Sequence, residues 1–232
     1  MASVCKTLLT PGSPVEIGSQ QAKTSSSSRS GLIWQIAITF LFLEAALWTP
    51  PGLANLVFIC ATLISIFLGT RLSGFSAEHM GLSTPPARSA GRIVEIGSVL
   101  ALLLQISAYA TGFDSPPFRP MTGNLIVLYT MWAFLQEFML QSFFFVRLET
   151  LFGSRVAVLG AGLLFSFAHL PNLFLTIATL PVGILFCELF RRFRTLAPIG
   201  LIHAGLGLAL AASVSDSLLH HMRVGMGYLL LH

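Results

Sequence analysis

Long apolar runs, broken by short polar connections, dominate the chain from residue 32 onward. Most of these runs are close to the ~20 residues that a helix needs to cross a bilayer. The pattern predicts seven spans, over about 32–48, 54–70, 93–111, 123–146, 156–170, 173–190 and 196–213. A weaker stretch over 218–231 contains His220, His221 and Arg223 and is predicted to be an eighth span or an interfacial helix. The predicted fold class is all-α, a polytopic transmembrane bundle of seven or eight helices.

The first 31 residues have a different composition, rich in Ser, Pro, Gly and Gln. They lack the apolar stretch of a cleavable signal peptide, and their polarity is typical of a disordered segment. We expect residues 1–31 to form a disordered tail on the cytoplasmic side and residues 32–232 to form the transmembrane domain.

The overall composition narrows the function classes. Of the 232 residues, 54% are hydrophobic and 9% are charged, whereas a soluble domain carries about 25% charged residues. A soluble enzyme, a disordered chain and a nucleic-acid-binding protein all fit this balance poorly. The lipid bilayer is the expected surrounding, and no nucleic acid is expected as a partner.

Positive charges lie mainly in alternate connections between the predicted spans. With the N-terminus inside, all but two of the 13 Lys and Arg residues fall on the cytoplasmic side, where short loops collect such residues. The two exceptions are Arg119 and Arg223, while Arg147 and Arg155 count with the inner loop after the fourth span. The sequence therefore predicts a cytoplasmic N-terminus, in a bacterial inner membrane or its equivalent.

Ionisable residues within spans are candidates for function, because a charge in lipid is costly. The candidates taken from the predicted spans and their ends are Glu44, Glu137, His169, Glu188 and His203, with the amides Gln136, Gln141 and Asn172. Glu44 and Glu188 lie near span ends and are predicted to be interfacial, since Arg191 and Arg192 follow Glu188 at helical spacing. Glu137, His169 and His203 remain as candidate catalytic residues.

These three candidates lie at overlapping depths on different spans. At ~1.5 Å per helical residue, Gln136 and its neighbour Glu137 lie roughly 16 Å from the cytoplasmic end of their span. By the same measure, His169 lies about 21 Å and His203 about 13 Å from that side. Convergence gives each group polar partners and reduces its desolvation cost. The sequence thus predicts that spans four, five and seven meet around one buried site.

Helical spacing predicts which groups share a face. Glu137 and Gln141 are four residues apart on one face, while Gln136 points about 100° away. Phe165 lies one turn before His169.

These segments resemble the CAAX prenyl protease and bacteriocin-processing family (CPBP, Abi) of intramembrane glutamic endopeptidases. The family pattern is Glu-Glu-x-x-x-Arg, then Phe-x-x-x-His, then His-x-x-x-Asn or Asp. Phe165 and His169 match the second motif, and His203 matches the start of the third. Met80-Gly81-Leu82 also resembles a family segment ahead of the third span. The resemblance covers about residues 120–212.

The resemblance implies an endopeptidase that cleaves membrane-tethered or lipid-modified peptides without a metal. In the family, the leading glutamate and the first histidine activate water, while the second histidine and its Asn stabilise the oxyanion. Here Gln136 replaces the leading Glu, Glu137 matches the second, Gln141 replaces the Arg and Gly207 replaces the Asn. An amide cannot act as a general base, so either Glu137 is the base or His169 acts without it.

The other residues of these segments are expected to support the site or to bind substrate. They are Gln136, Gln141, Phe165, Asn172 and Gly207. Gln136, Gln141 and Gly207 also favour a second hypothesis, an inactive relative that holds a hydrophobic peptide or a prenyl chain in the same cavity.

Three further alternatives stay open. Glu137, His169 and His203 could supply three zinc ligands, but no HExxH spacing occurs and a metal-free site is predicted. A transporter would need a second polar cluster at matching depth. The C-terminal segment lies at the interface, or it folds back over the outer mouth of the cavity so that Asp216 or His220 meets the substrate.

Overall fold

A computed structural model of the protein describes residues 28–112 and 122–231, and its regular elements there are all helices. The long helices are α1 (Arg29–Trp48), α2 (Leu53–Ser73), α3 (Ala87–Thr111), α4 (Gly123–Glu137), α6 (Ser154–Phe167), α7 (Leu173–Phe193) and α8 (Ala197–Ser213). Between α4 and α6 lie a π-helix, π1 (Phe138–Phe145), and α5 (Val146–Phe152). Short helices end the chain: α9 (Asp216–Leu219), a 3₁₀ turn (His220–Met222) and α10 (Gly225–Leu229).

The helices have the character of membrane spans. Helices α1, α2, α3 and α7 are each long and apolar enough to cross a membrane, and α6 and α8 are shorter apolar helices. Large apolar side chains cover the outside, as at Leu41 and Leu128, which are 66% and 65% exposed. Such a surface suits lipid contact and not water. The chain is therefore an all-α integral membrane protein.

The tail predicted over residues 1–31 lies largely outside the described residues. Its last part does not follow the prediction, because α1 begins at Arg29 and not at residue 32. The Ser28 hydroxyl accepts a hydrogen bond from the Gly31 backbone N–H and caps this helix, a common role for serine.

Close contacts between helices determine which helices are neighbours in the bundle. Helix α1 packs on α2, α6 on α7, and α8 on both α3 and α4. Small residues allow these approaches, since Gly162 of α6 meets the backbone of Ile184 in α7 and Gly97 of α3 meets Ile202 of α8. Glycine at such contacts is typical of membrane helix packing.

The fourth predicted span was expected to end at residue 146 with Arg147 in a cytoplasmic loop, and this expectation is wrong. Helix continues through π1 and α5 to Phe152, and Arg147 is completely buried. Its guanidinium donates to Gln35 Oε1 at 2.8 Å and to the Phe143 carbonyl at 2.8 Å. It also donates to Ser73 Oγ at 3.3 Å. These partners from α1, α2 and π1 compensate the desolvation of the cation, so Arg147 need not reach water.

The two glutamates predicted to be interfacial each bond to a residue of their own helix. Glu44 Oε2 accepts a hydrogen bond from Trp48 Nε1 at 3.0 Å. Glu188 forms ion pairs with Arg191 at 2.6 Å and Arg192 at 2.5 Å. The Glu188 pairs are those that the helical spacing predicts, whereas the bond from Trp48 to Glu44 was not predicted.

The loop before α3 docks under the bundle through the Met80-Gly81-Leu82 segment. Ser142 of π1 donates a hydrogen bond to the Met80 carbonyl at 2.7 Å, and the Leu196 N–H donates to the Gly81 carbonyl at 2.8 Å. Gly81 has φ +71°, a conformation that glycine adopts without steric cost. The loop thus connects π1 with the start of α8.

The C-terminal stretch over 218–231 is neither an eighth span nor one interfacial helix. It consists of short turns with positive φ at His220, His221 and Met222, which interrupt a continuous helix. The Gly225 N–H donates to the Leu170 carbonyl at 2.7 Å, and α10 packs on α1. The segment is therefore folded onto the bundle.

Replacing Gly81 by Ala is expected to destabilise the protein by about 1–3 kcal/mol, because alanine is strained at this φ. The added Cβ would also overlap the Phe190 ring and approach the Leu196 nitrogen to 3.3 Å. Thermal unfolding in detergent measures the effect. Gly91→Ala is the control, since Gly91 is within α3 and an added Cβ there meets no atom within 4 Å. Equal melting temperatures for the two variants would contradict the prediction.

Candidate active site

A cavity of about 470 Å³ lies inside the bundle, with walls from α1, α3, α4, π1, α6, α7 and α8. Met222 and Val224 of the C-terminal segment complete the wall. The lining is mainly aliphatic and aromatic, with six polar side chains: Ser107, Tyr129, Gln136, His169, Thr179 and His203. A mainly apolar cavity with a few convergent polar groups is the usual form of a ligand site.

His169 stands in the turn that follows α6 and lines this cavity. Its Nδ1 is 2.7 Å from the Phe165 carbonyl oxygen. A carbonyl only accepts hydrogen bonds, so Nδ1 carries the proton and Nε2 of the neutral ring holds a lone pair. The motif spacing Phe-x-x-x-His brings this carbonyl one turn below the imidazole. His169 therefore offers the cavity a proton acceptor.

Glu137 and His203 form a buried pair between α4 and α8. Glu137 Oε1 is 2.8 Å from His203 Nδ1, and Gln141 Nε2 donates to Glu137 Oε2 at 3.1 Å. Glu137 and Gln141 are 0% exposed, and His203 is 8% exposed. The carboxylate orients the imidazole, so Nε2 is the ring nitrogen of His203 left for the cavity.

The two imidazoles share one aromatic neighbour. The Phe165 ring lies 4.8 Å from the His169 ring and 5.7 Å from the His203 ring, edge-on to both. The fourth, fifth and seventh predicted spans thus meet around one site, as their depths predict.

Neighbouring residues of α4 point in different directions. Gln136 lines the cavity, and Glu137 does not. The helical offset of about 100° between successive residues explains this difference. Catalysis by Glu137 as the base stays a prediction, and the structure adds that its carboxylate is enclosed behind His203.

Comparison with known proteins adds a family to this geometry. Residues 119–209 match the family model of type II CAAX prenyl endopeptidase Rce1-like proteins. No curated protein matches the chain. This region of the chain is thus similar to the CAAX prenyl endopeptidases. The match supports a membrane protease as the general class of this protein.

At Gly207, where the family pattern has Asn or Asp, the space beside α8 is filled from another helix. A Cβ added to Gly207 would overlap the Tyr129 hydroxyl and lie 2.6 Å from Tyr129 Cζ. Tyr129 is not among the candidate residues taken from the sequence, although it lines the cavity. Its position seven residues before Gln136 places both residues on one face of α4, and this spacing could have indicated it.

Asn172 supports the core from behind the cavity. It is fully buried, and its Nδ2 donates to the Leu219 and Arg223 carbonyls at 2.9 and 3.2 Å. Its Oδ1 accepts from the Leu175 N–H and caps α7. Asn172 therefore joins the turn that carries His169 to the C-terminal segment.

The C-terminal segment covers the cavity with other residues than those expected. Asp216 pairs with His221 at 2.8 Å, and the His220 ring packs on Tyr228 at 4.8 Å. Neither Asp216 nor His220 is among the cavity-lining residues of the described chain; Met222 and Val224 take that place. The segment is thus an apolar wall.

Within residues 28–112 and 122–231, no group of three His, Cys, Asp or Glu side chains is arranged to hold a metal. Glu137 bonds directly to His203, while His169 bonds to its own helix.

Asn172→Ala is expected to loosen the C-terminal segment at a cost of about 1–3 kcal/mol. It removes the donor of the buried Leu219 carbonyl and of the partly buried Arg223 carbonyl. Limited proteolysis of the purified protein should cut residues 214–231 faster. The control is Asn124→Ala, because Asn124 is exposed on α4. Unchanged cleavage in Asn172→Ala would contradict this role.

Proposed function

We propose that this protein is an intramembrane endopeptidase that cleaves a membrane-tethered or lipid-modified peptide in the cavity, without a metal. The observation that carries the proposal is His169, whose Nδ1 is bonded to the Phe165 carbonyl and whose Nε2 is left for the cavity. The apolar lining suits a hydrophobic chain next to the peptide bond that reacts.

The reaction uses His169 as the base. As the oxygen of a water molecule attacks the carbonyl carbon of the peptide, its proton moves to His169 Nε2. The carbonyl oxygen becomes an oxyanion, which His203 stabilises through Nε2–H while Glu137 holds Nδ1. His169 then returns the proton to the leaving nitrogen as the C–N bond breaks, and the products are a carboxylic acid and an amine.

Glu137 acts in this scheme as a positioning residue. Its carboxylate holds His203 Nδ1, and Gln141 holds the carboxylate. This arrangement uses the second alternative left by the sequence, in which His169 acts without a glutamate base.

A second candidate is a binding protein that holds the same kind of ligand without cleaving it. The specific observation in its favour is that Gln136 of α4 lines the cavity with an amide instead of a carboxylate. An amide binds a peptide group by hydrogen bonds but accepts no proton from water.

We also propose that the N-terminus lies in the cytoplasm. The support is the unequal distribution of Lys and Arg between the two sides of the predicted topology. This asymmetry does not depend on Arg147, which lies in the bundle. The residues that remain on the cytoplasmic side include Arg71, Arg88, Arg92, Arg191 and Arg192.

His169→Ala is expected to reduce kcat/KM for a prenylated peptide by about 10²–10⁴-fold, the usual contribution of a general base. The assay uses the full chain in lipid nanodiscs with a fluorogenic substrate. The control is His221→Ala, because His221 is exposed and pairs with Asp216 away from the cavity. Equal activity in wild type and His169→Ala would reject the role of His169.

Gln136→Glu separates the two candidate functions. It adds a carboxylate to the cavity and is expected to raise kcat/KM by about tenfold or more, as a second proton acceptor does. Activity in Gln136→Glu together with an inactive wild type that binds the peptide would establish the binding protein. Turnover by the wild type would establish the endopeptidase.

A further inference from the structure

Helix α8 carries no side chain at Gly207, and a group from α4 occupies the space. The Tyr129 ring lies so close that a Cβ on Gly207 would be 2.8 Å from Cε1 and would overlap the hydroxyl. Tyr129 and Gly207 both line the cavity. The phenol of Tyr129 therefore ends where a side chain at residue 207 would begin.

This position places the hydroxyl beside His203. Residues four apart on a helix are neighbours on one face, with Cβ atoms about 5–6 Å apart. His203 precedes Gly207 by one such turn and lines the same cavity. A ligand atom that reaches His203 Nε2 is thus about one helical turn from the Tyr129 hydroxyl.

The Tyr129 hydroxyl has no hydrogen-bond partner among the side chains and backbone groups of the described residues. A polar group enclosed in apolar surroundings is unfavourable unless it finds a partner. A phenol is neutral near pH 7 and both donates and accepts hydrogen bonds. The hydroxyl is therefore available to a carbonyl oxygen in the cavity.

We infer that Tyr129 is a ligand-binding residue whose hydroxyl donates a hydrogen bond to the carbonyl oxygen of the peptide bond held beside His203. The inference rests on the proposed use of the cavity for a peptide. In the hydrolysis scheme, the same hydrogen bond strengthens as the carbonyl oxygen becomes an oxyanion. Tyr129 and His203 then act on one oxygen from two helices.

The first experiment compares cleavage of a prenylated peptide by full-length variants in nanodiscs. Tyr129→Phe removes the hydroxyl and keeps the ring, and is expected to lower kcat/KM by about 10²-fold or more, the usual loss of one oxyanion donor. The matched control is Tyr109→Phe, because Tyr109 is 79% exposed on α3. Equal cleavage by wild type and Tyr129→Phe would overturn the inference and leave the endopeptidase standing.

A reciprocal exchange tests the position of the donor. Gly207→Asn alone is expected to disturb packing, since its Cβ overlaps Tyr129. The double variant Tyr129→Ala with Gly207→Asn opens that space for an amide donor. Its kcat/KM should exceed that of Tyr129→Ala by about tenfold. The melting temperature of each variant separates loss of the donor from loss of the fold. No gain from the amide in a folded double variant would overturn the inference.

A binding experiment separates failure of this inference from failure of hydrolysis. The probes are two non-cleavable prenylated peptides, in which the peptide bond after the prenylated cysteine is replaced by a ketomethylene or by a carbonyl-free ethylene group. Wild type and Tyr109→Phe should bind the ketone about tenfold more tightly than the ethylene peptide, and Tyr129→Phe should lose this preference. A wild type that prefers the ketone through Tyr129 but cleaves nothing would disprove the endopeptidase alone. Equal affinity of the wild type for both probes, or a preference that persists in Tyr129→Phe, would disprove the inference.

Discussion

The buried carboxylate of Glu137 links the two helices that frame the cavity. It accepts hydrogen bonds from Gln141 on its own helix and pairs with His203 on α8. In lipid no water replaces a lost partner, and breaking a buried pair typically costs about 3–5 kcal/mol. This one carboxylate therefore fixes the distance between α4 and α8 and the direction in which His203 Nε2 points. The pair therefore holds the His203 imidazole at the cavity wall.

Two other polar residues of the same long helix also bond to distant parts of the bundle. Ser142 holds the loop at Met80, and Arg147 holds α1 and α2 through Gln35 and Ser73. Each turn of the helix from α4 to α5 thus contacts a different part of the bundle. The π-helical turns lie between the Glu137 pair and Arg147, and such turns frequently mark functional sites.

Hydrophobic length predicts most of this architecture, because the length of a spanning helix follows from the thickness of the bilayer. The meeting of Glu137, His169 and His203 is also predictable, since buried ionisable groups need one another. The sequence-based prediction puts Arg147 in a loop, because an arginine near the end of a span resembles a loop residue. Its actual partners are single polar atoms on distant helices, which a sequence pattern does not reveal. Periodicity places Gln136 and Tyr129 on one face of α4, but it does not tell that this face lines the cavity.

Asn172 links the C-terminal wall of the cavity to the turn that carries His169. Its side chain holds the segment that contributes Met222 and Val224 to the cavity wall, and its backbone N–H donates to the carbonyl of His169. A movement of that wall would therefore be transmitted to the turn that carries His169. One buried amide makes the two parts a single mechanical unit, although they are about 50 residues apart in sequence.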